Sequence, residues 1–163
     1  MSRPWSRFFR AWYRGLRLIE PLIRAWYRAF GIGNVVEVLV PGRRTGRKRA
    51  VLLGLLRVDG RRYLGHPNAA CAWTRNLDAA GTLELRARGR PPERLAAARL
   101  PAGTEREAVI RATWRQHPFP GDLLYRLARG HVRAGGVFYR LETSPAAGDA
   151  PGAAALTAGG PGP

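Results

Sequence analysis

The dipeptide Asp59-Gly60 separates two runs rich in strand formers, residues 50–58 and 61–65. A two-residue link of this kind takes positive φ and joins only antiparallel neighbours. The first half of the chain is thereby committed to a hairpin. Residues 35–40 form another strand-like run, and a basic turn over 42–49 leads from it into Ala50. Three strands joined by short links make a meander, because no helix stands between them to carry a parallel crossover. Residues 50–58 are apolar nearly throughout, which predicts one strand buried on both faces.

The second half is mixed. A helix is expected over 72–80, with Asn68 as its N-cap. Leu83 and Leu85 alternate within a half-buried strand over 82–88, and 94–100 reads as its partner. Thr104 and Glu107 match a capping box opening a helix to about Gln116. Residues 123–128 read as a further helical turn, and 137–141 as the closing strand. The pattern is α+β, mainly β: a small antiparallel barrel over 34–142 with helices at its ends. The tail, 143–163, is Ala, Gly and Pro with little else and is expected to be disordered.

Residues 1–33 form a helical extension. Trp5, Phe8, Phe9, Trp12, Leu16, Ile19, Ile23, Trp26 and Phe30 recur at spacings of three and four, which defines an apolar stripe. Seven arginines lie among them against Glu20 alone. The segment Arg-Ala-Trp-Tyr-Arg occurs at 10–14 and again at 24–28. Pro21 is expected to kink the helix or start a second one, and Gly31 and Gly33 to end it. The stripe has two readings. It covers the barrel as ordinary core, or it lies on an anionic membrane surface through residues 1–30.

The formal charge of +17 comes from 28 basic and 11 acidic residues, and all the cations but Lys48 are arginine. An excess this large points to an anionic partner. About two-thirds of it sits in the N-terminal segment and in the basic turn, which favours two separate jobs over one long nucleic-acid surface. Cys71 is the only cysteine, so no intrachain disulfide or cysteine-based metal cage is possible. His66, His117 and His131 are far apart without helical pair spacing, so no metal site is expected. Charges interrupt every apolar run well short of a spanning helix and leave no signal-peptide core. The expectation is a cytoplasmic protein, peripheral on the inner face of the plasma membrane if the helix binds lipid.

Two stretches carry possible chemistry. The turn Gly-Arg-Arg-Thr-Gly-Arg-Lys-Arg at 42–49 holds five cations in eight residues, with glycines that permit a backbone nest and a Thr45 hydroxyl donor. Arginine forks match phosphate and carboxylate oxygens. It is either such an anion site or a solvated hairpin, and it lacks P-loop spacing. The second stretch is Gly-His-Pro-Asn at 65–68 followed by Trp-Thr-Arg-Asn-Leu at 73–77. A helix N-terminus there attracts anions; alternatively Trp73 and Leu77 are core and Asn76 is a cap.

The two motifs in this order resemble the deazaflavin-dependent nitroreductase and quinone reductase family, split β-barrels of the FMN-binding type from actinobacteria that use coenzyme F420. The likeness covers roughly residues 20–142, and Phe119-Pro120 with Tyr125 resembles the family's C-terminal Phe-Pro…Tyr stretch. The resemblance implies that Arg43, Arg44, Thr45, Gly46 and Arg49 hold the phosphate and polyglutamate end of F420. It implies that Asn68, Ala69 and Ala70 lie along the deazaflavin, with Trp73 and Asn76 at the start of the next helix. Tyr125 matches a tyrosine on the substrate side, where it would protonate the reduced acceptor. The implied activity is hydride transfer from reduced F420 to a quinone or nitroaromatic, with FMN the second choice of cofactor. The loop before Trp73 is shorter than the family's Gly-Gly version, and residues 126–136 are longer and lack its Ile-Pro. Barrels of this kind often pair, so a homodimer is expected.

Two other classes remain open. One is a split barrel that binds F420, flavin or haem without turnover. The other is a basic nucleic-acid-binding barrel, which needs aromatic residues on its strands for base stacking. Tyr63 and Tyr139 are the main strand aromatics, while all five tryptophans fall in predicted helices, and no nucleic acid is expected as partner.

Overall fold

The computed structural model describes residues 3–143. The tail from 144 onward lies outside the described residues, as do the side chains of the stripe from Trp5 to Leu16. The elements in order are α1 (Arg3–Phe30), β1 (Val35–Pro41), β2 (Lys48–Gly54), β3 (Leu56–Val58), β4 (Arg61–His66), α2 (Ala72–Ala80), β5 (Thr82–Arg86), β6 (Glu93–Arg99), α3 (Thr104–Gln116), α4 (Gly121–Leu127), α5 (Arg129–Gly135) and β7 (Val137–Thr143). The strands form one antiparallel sheet in the order β2-β1-β5-β6-β7-β4-β3, curled into a split barrel.

Alternation builds the barrel interior. Val36, Val38 and Val40 of β1 point inward and are buried, while Val35, Glu37 and Leu39 between them are half-exposed. Leu53, Leu55, Leu64, Leu77, Leu83, Leu85, Leu95, Val137, Tyr139 and Leu141 complete this interior cluster. Each fully buried aliphatic side chain contributes about 1.5–3 kcal/mol. A second cluster lies on the other face of the β3, β4 and β7 region, where Leu56, Tyr63, Phe138, Val109, Ile110, Tyr125 and Val132 pack beneath α3, α4 and α5. Polar contacts fasten this layer. Gln116 Nε2 donates to Arg57 O at 2.7 Å and Arg57 N–H donates back to Gln116 Oε1 at 2.8 Å.

The Asp59-Gly60 link forms as expected, with φ of 48° and 74°. The run at 50–58 does not form one strand. It breaks at Leu55, whose N–H donates to Asn34 O at 2.9 Å while Asn34 Nδ2 donates to Leu55 O at 2.9 Å. β2 pairs with β1 and β3 pairs with β4. Nor is this stretch buried on both faces: β2 is an edge strand whose Ala50, Val51 and Leu52 are half-exposed.

The helices differ in detail from the sequence reading. α1 is a single helix that continues through Pro21 and ends at Gly31, where φ is +75°. α2 has Cys71, not Asn68, as its N-cap; Asn68 lies further back and accepts from the Ala70 N–H at 2.9 Å. The capping box is not used either, since Thr104 is already helical and Gly103 is the N-cap, with φ of 155°. Residues 129–135, unassigned from sequence, form α5, held by burial of His131 and Val132.

Among the described side chains, those of α1 that meet the sheet are not mainly those of the apolar stripe. Tyr27 is buried, and Arg24 reaches Glu37 at 2.9 Å, Glu20 at 2.8 Å and Ala50 O at 2.8 Å. Ile23 is half-buried, whereas Ile19, Trp26 and Phe30 are exposed, together with Leu18 and Leu22. No helix among the described residues is long and apolar enough to cross a membrane.

Candidate functional site

The basic turn joins the C-terminal end of β1 to β2. Gly42 N–H donates to Arg47 O at 3.0 Å, Thr45 N–H to Gly42 O at 3.2 Å, and Gly46 N–H to Gly42 O at 2.7 Å. Gly46 is left-handed, with φ of +66°, and Gly42 is not. The amides of Gly42, Thr45 and Gly46 are thus spent inside the turn and are not available to an anion, which leaves the side chains as its main donors. Arg43, Arg44, Arg47 and Arg49 are exposed and make no ion pair with the described residues. Lys48 differs: its Nζ lies 2.6 Å from Glu84 Oε2. Hydrogen bonds from Lys48 and then Arg86 hold the Glu84 carboxyl below its usual range.

One contact attaches the turn to α2. The Arg43 N–H donates to Oδ1 of buried Asn76 at 3.3 Å. Asn76 stands one helical turn after Trp73, so the spacing read from sequence places one residue on the basic turn and the other on the barrel interior. Trp73 packs against the interior cluster, with ring centroids 5.9 Å from Tyr139 and 5.8 Å from His66. Its indole Nε1 is buried and has no acceptor among the described residues. A buried donor left in that state costs about 1–3 kcal/mol.

The loop from Asn68 to Cys71 is pinned at both ends. The Ala69 N–H donates to Gly135 O at 3.0 Å. Thr74, fully buried, places Oγ1 2.7 Å from Ala69 O and 2.8 Å from Cys71 O. Ala69 packs against the interior cluster, and Ala70 is exposed. Burial pushes the Cys71 thiol up, which disfavours its thiolate form.

Two further residues were given no cofactor-site role from sequence. His66 is buried, and desolvation lowers its pKa to about 4, so it is neutral near pH 7. Its Nδ1 lies 2.9 Å from Asn68 O and 3.1 Å from Asn68 N, contacts that shape the loop. Tyr139 donates to Asp78 Oδ1 at 2.7 Å, and burial together with that carboxylate pushes its phenol well above the usual range. A lone His before Pro-Asn and a strand tyrosine carry no local signal for such roles.

Tyr125 is placed elsewhere. It belongs to the second cluster, with its ring centroid 4.6 Å from His117, while Trp73 belongs to the interior one. The structure brings Arg43 and Asn76 into contact, carries Trp73 on the same helix α2 just after the Asn68 loop, and buries Tyr125 in the second cluster. No group of side chains suited to a metal ion occurs among the described residues.

No protein-family model matches the chain, and no curated protein matches it. Solved structures do share its fold. A conserved hypothetical protein from Mycobacterium tuberculosis is 12% identical over 69% of this chain and 74% of that one, with a TM-score of 0.54. HutZ, the haem storage protein of Vibrio cholerae, is 12% identical over 78% of this chain and 91% of its own, with a TM-score of 0.52. An F420-H2 dependent reductase, FDR-A, is 21% identical over 66% of this chain and 93% of its own, with a TM-score of 0.51. At these identities the likeness is one of fold: this chain is a split β-barrel.

Proposed function

We propose that this chain is a reductase that binds coenzyme F420 at the basic turn and α2, and delivers hydride to an electron-poor acceptor such as a quinone or nitroaromatic. The observation that carries the reading is the Arg43–Asn76 contact, which joins four uncommitted arginines to the helix bearing Trp73. The donor set suits an anionic cofactor. Arg43, Arg44, Arg47 and Arg49 match phosphate and carboxylate oxygens, Thr45 adds a hydroxyl, and the Trp73 N–H lacks an acceptor among the described residues. When bound, F420 would supply the hydride. The chain's own residues hold the anionic tail, orient the ring through the Asn68–Ala70 loop and Trp73, and exclude water with the interior cluster. Tyr125, which packs from α4 against His117, is in this reading the group on the substrate side that would protonate the reduced acceptor.

A non-catalytic barrel binding F420, flavin or haem is the second reading, supported by the haem storage protein that shares the fold. Base stacking has less support, since Tyr63 and Tyr139 are 2% and 1% exposed and offer no open face. Titration of the full chain with F420, FMN and haem, followed by tryptophan fluorescence, separates these. Saturable F420 binding with turnover of a quinone supports the reductase. Binding without turnover supports the second reading, and no saturable F420 binding at high micromolar concentration sinks the first. The same proposal includes a homodimer, read by light scattering. It also includes peripheral attachment to the cytoplasmic face of an anionic membrane, for which the exposed apolar face of α1 is the support.

A further inference from the structure

A cavity of about 640 Å³ opens at the end of the barrel opposite the basic turn, where β1 begins and the β5–β6 link turns back. Its apolar wall is made by Tyr27, Val36, Leu55 and Leu85. Three of these belong to the interior cluster and so continue the barrel core to the surface. Four arginines line the same space: Arg57, Arg62, Arg88 and Arg90. Arg62 is neutralised by Glu93, which it meets through two bonds of 2.6 and 2.7 Å. Arg57, Arg88 and Arg90 have no ion pair among the described residues.

Arg57, Arg88 and Arg90 are exposed and Glu93 is the one carboxylate on the same lining, so the cavity carries an excess of positive charge that an anion would offset. Arg57 comes from β3, while Arg88 and Arg90 both belong to the β5–β6 link, so two separate segments meet at this cavity. The volume is in the range of small-molecule sites, and the lining combines apolar side chains with several charged ones. We propose that this is a second ligand site, for an organic anion with an apolar body of drug-like size and one or two carboxylate or phosphate groups. The body lies against Tyr27, Leu55 and Leu85, and the anionic end meets Arg57, Arg88 and Arg90. The site is independent of the F420 reading, since none of its residues belongs to the basic turn or to α2.

The test uses the full chain and naphthoate as probe, with naphthalenemethanol as its uncharged counterpart, both followed by ligand-detected nuclear magnetic resonance. Saturable naphthoate binding is expected, with the alcohol at least about tenfold weaker. The R57A/R88A/R90A variant should weaken naphthoate by about tenfold or more, and R88E alone should weaken it in the same direction. R43A/R49A should leave it unchanged, which keeps this result separate from any on F420. Equal binding of acid and alcohol overturns the proposal. So does unchanged naphthoate affinity in folded R57A/R88A/R90A or in R88E.

Discussion

The backbone N–H of Arg43 donates to the side-chain oxygen of Asn76 at 3.3 Å, although the two residues are 33 positions apart. Asn76 is buried, so its replacement leaves the Arg43 amide without that acceptor and frees the turn from α2. Asn76→Ala is expected to cost about 1–2 kcal/mol in urea unfolding and to weaken F420 several-fold. Asn76→Asp keeps an acceptor and should retain more of both. Equal losses for the two variants would show that the hydrogen bond is not what matters.

R43A/R49A removes two exposed arginines that have no ion pair among the described residues. Stability should change by less than about 0.5 kcal/mol. F420 binding should fall by at least about tenfold and lose part of its salt dependence. A lone isoalloxazine without phosphate should be little affected. Calorimetric titration of both ligands reads the difference.

Acid stability should follow two histidines. Desolvation lowers both His66 and His117 to about 4 in the folded chain, against about 6.5 when unfolded. The unfolded chain therefore binds more protons between these values, and stability falls as pH drops through that window. Each histidine contributes roughly 3 kcal/mol of this loss. His117→Gln should flatten the urea midpoint between pH 6.5 and pH 4 by a measurable fraction of it. An unchanged slope would mean that His117 is not neutral in the fold.

Gly54 lies against the His117 ring so closely that an added Cβ would overlap Cε1 and Nδ1. Gly54→Ala is expected to cost about 1–3 kcal/mol. Combining it with His117→Ala should recover part of that cost, a coupling that a double-mutant cycle measures. Simple additivity would place the strain elsewhere.

Leu22, Trp26 and Phe30 are 72%, 59% and 66% exposed, on a helix whose opposite side is fixed by Arg24 and Tyr27. L22S/W26S/F30S should leave the melting temperature nearly unchanged and abolish cosedimentation with anionic liposomes. Retained cosedimentation would remove this face from the account.

What the sequence made legible was local. Asp59-Gly60 specifies its own geometry, and Val36, Val38 and Val40 announce a half-buried strand by alternation. Gly31 ends α1 for the same local reason. The break at Leu55 was hidden because its partner is Asn34, a contact that tertiary structure makes and an apolar run does not reveal. The unused capping box is similar: Thr104 and Glu107 have the right spacing, but the chain enters the helix through Gly103. α5 contains Gly130 and Gly135, which weaken helical propensity, and it is held by Arg106 donating to Arg133 O at 2.8 Å and Gly136 O at 3.0 Å. Around the candidate site, the arginines of the turn were evident from charge, whereas the pairing of Lys48 with Glu84 and the amides spent within the turn needed coordinates.

Leu55 has one more consequence. β2 and β3 are the two outermost strands of the sheet, yet a single residue separates them in the chain. The sheet is thus a hoop fastened by one covalent link, and it cannot uncurl without tearing β3 from β4 or β2 from β1. Free sheet margins are where chains stick to each other edge to edge. Here the fastening draws both margins toward one seam, so the clasp that shapes the barrel also narrows the opening through which a neighbouring chain would zip onto it.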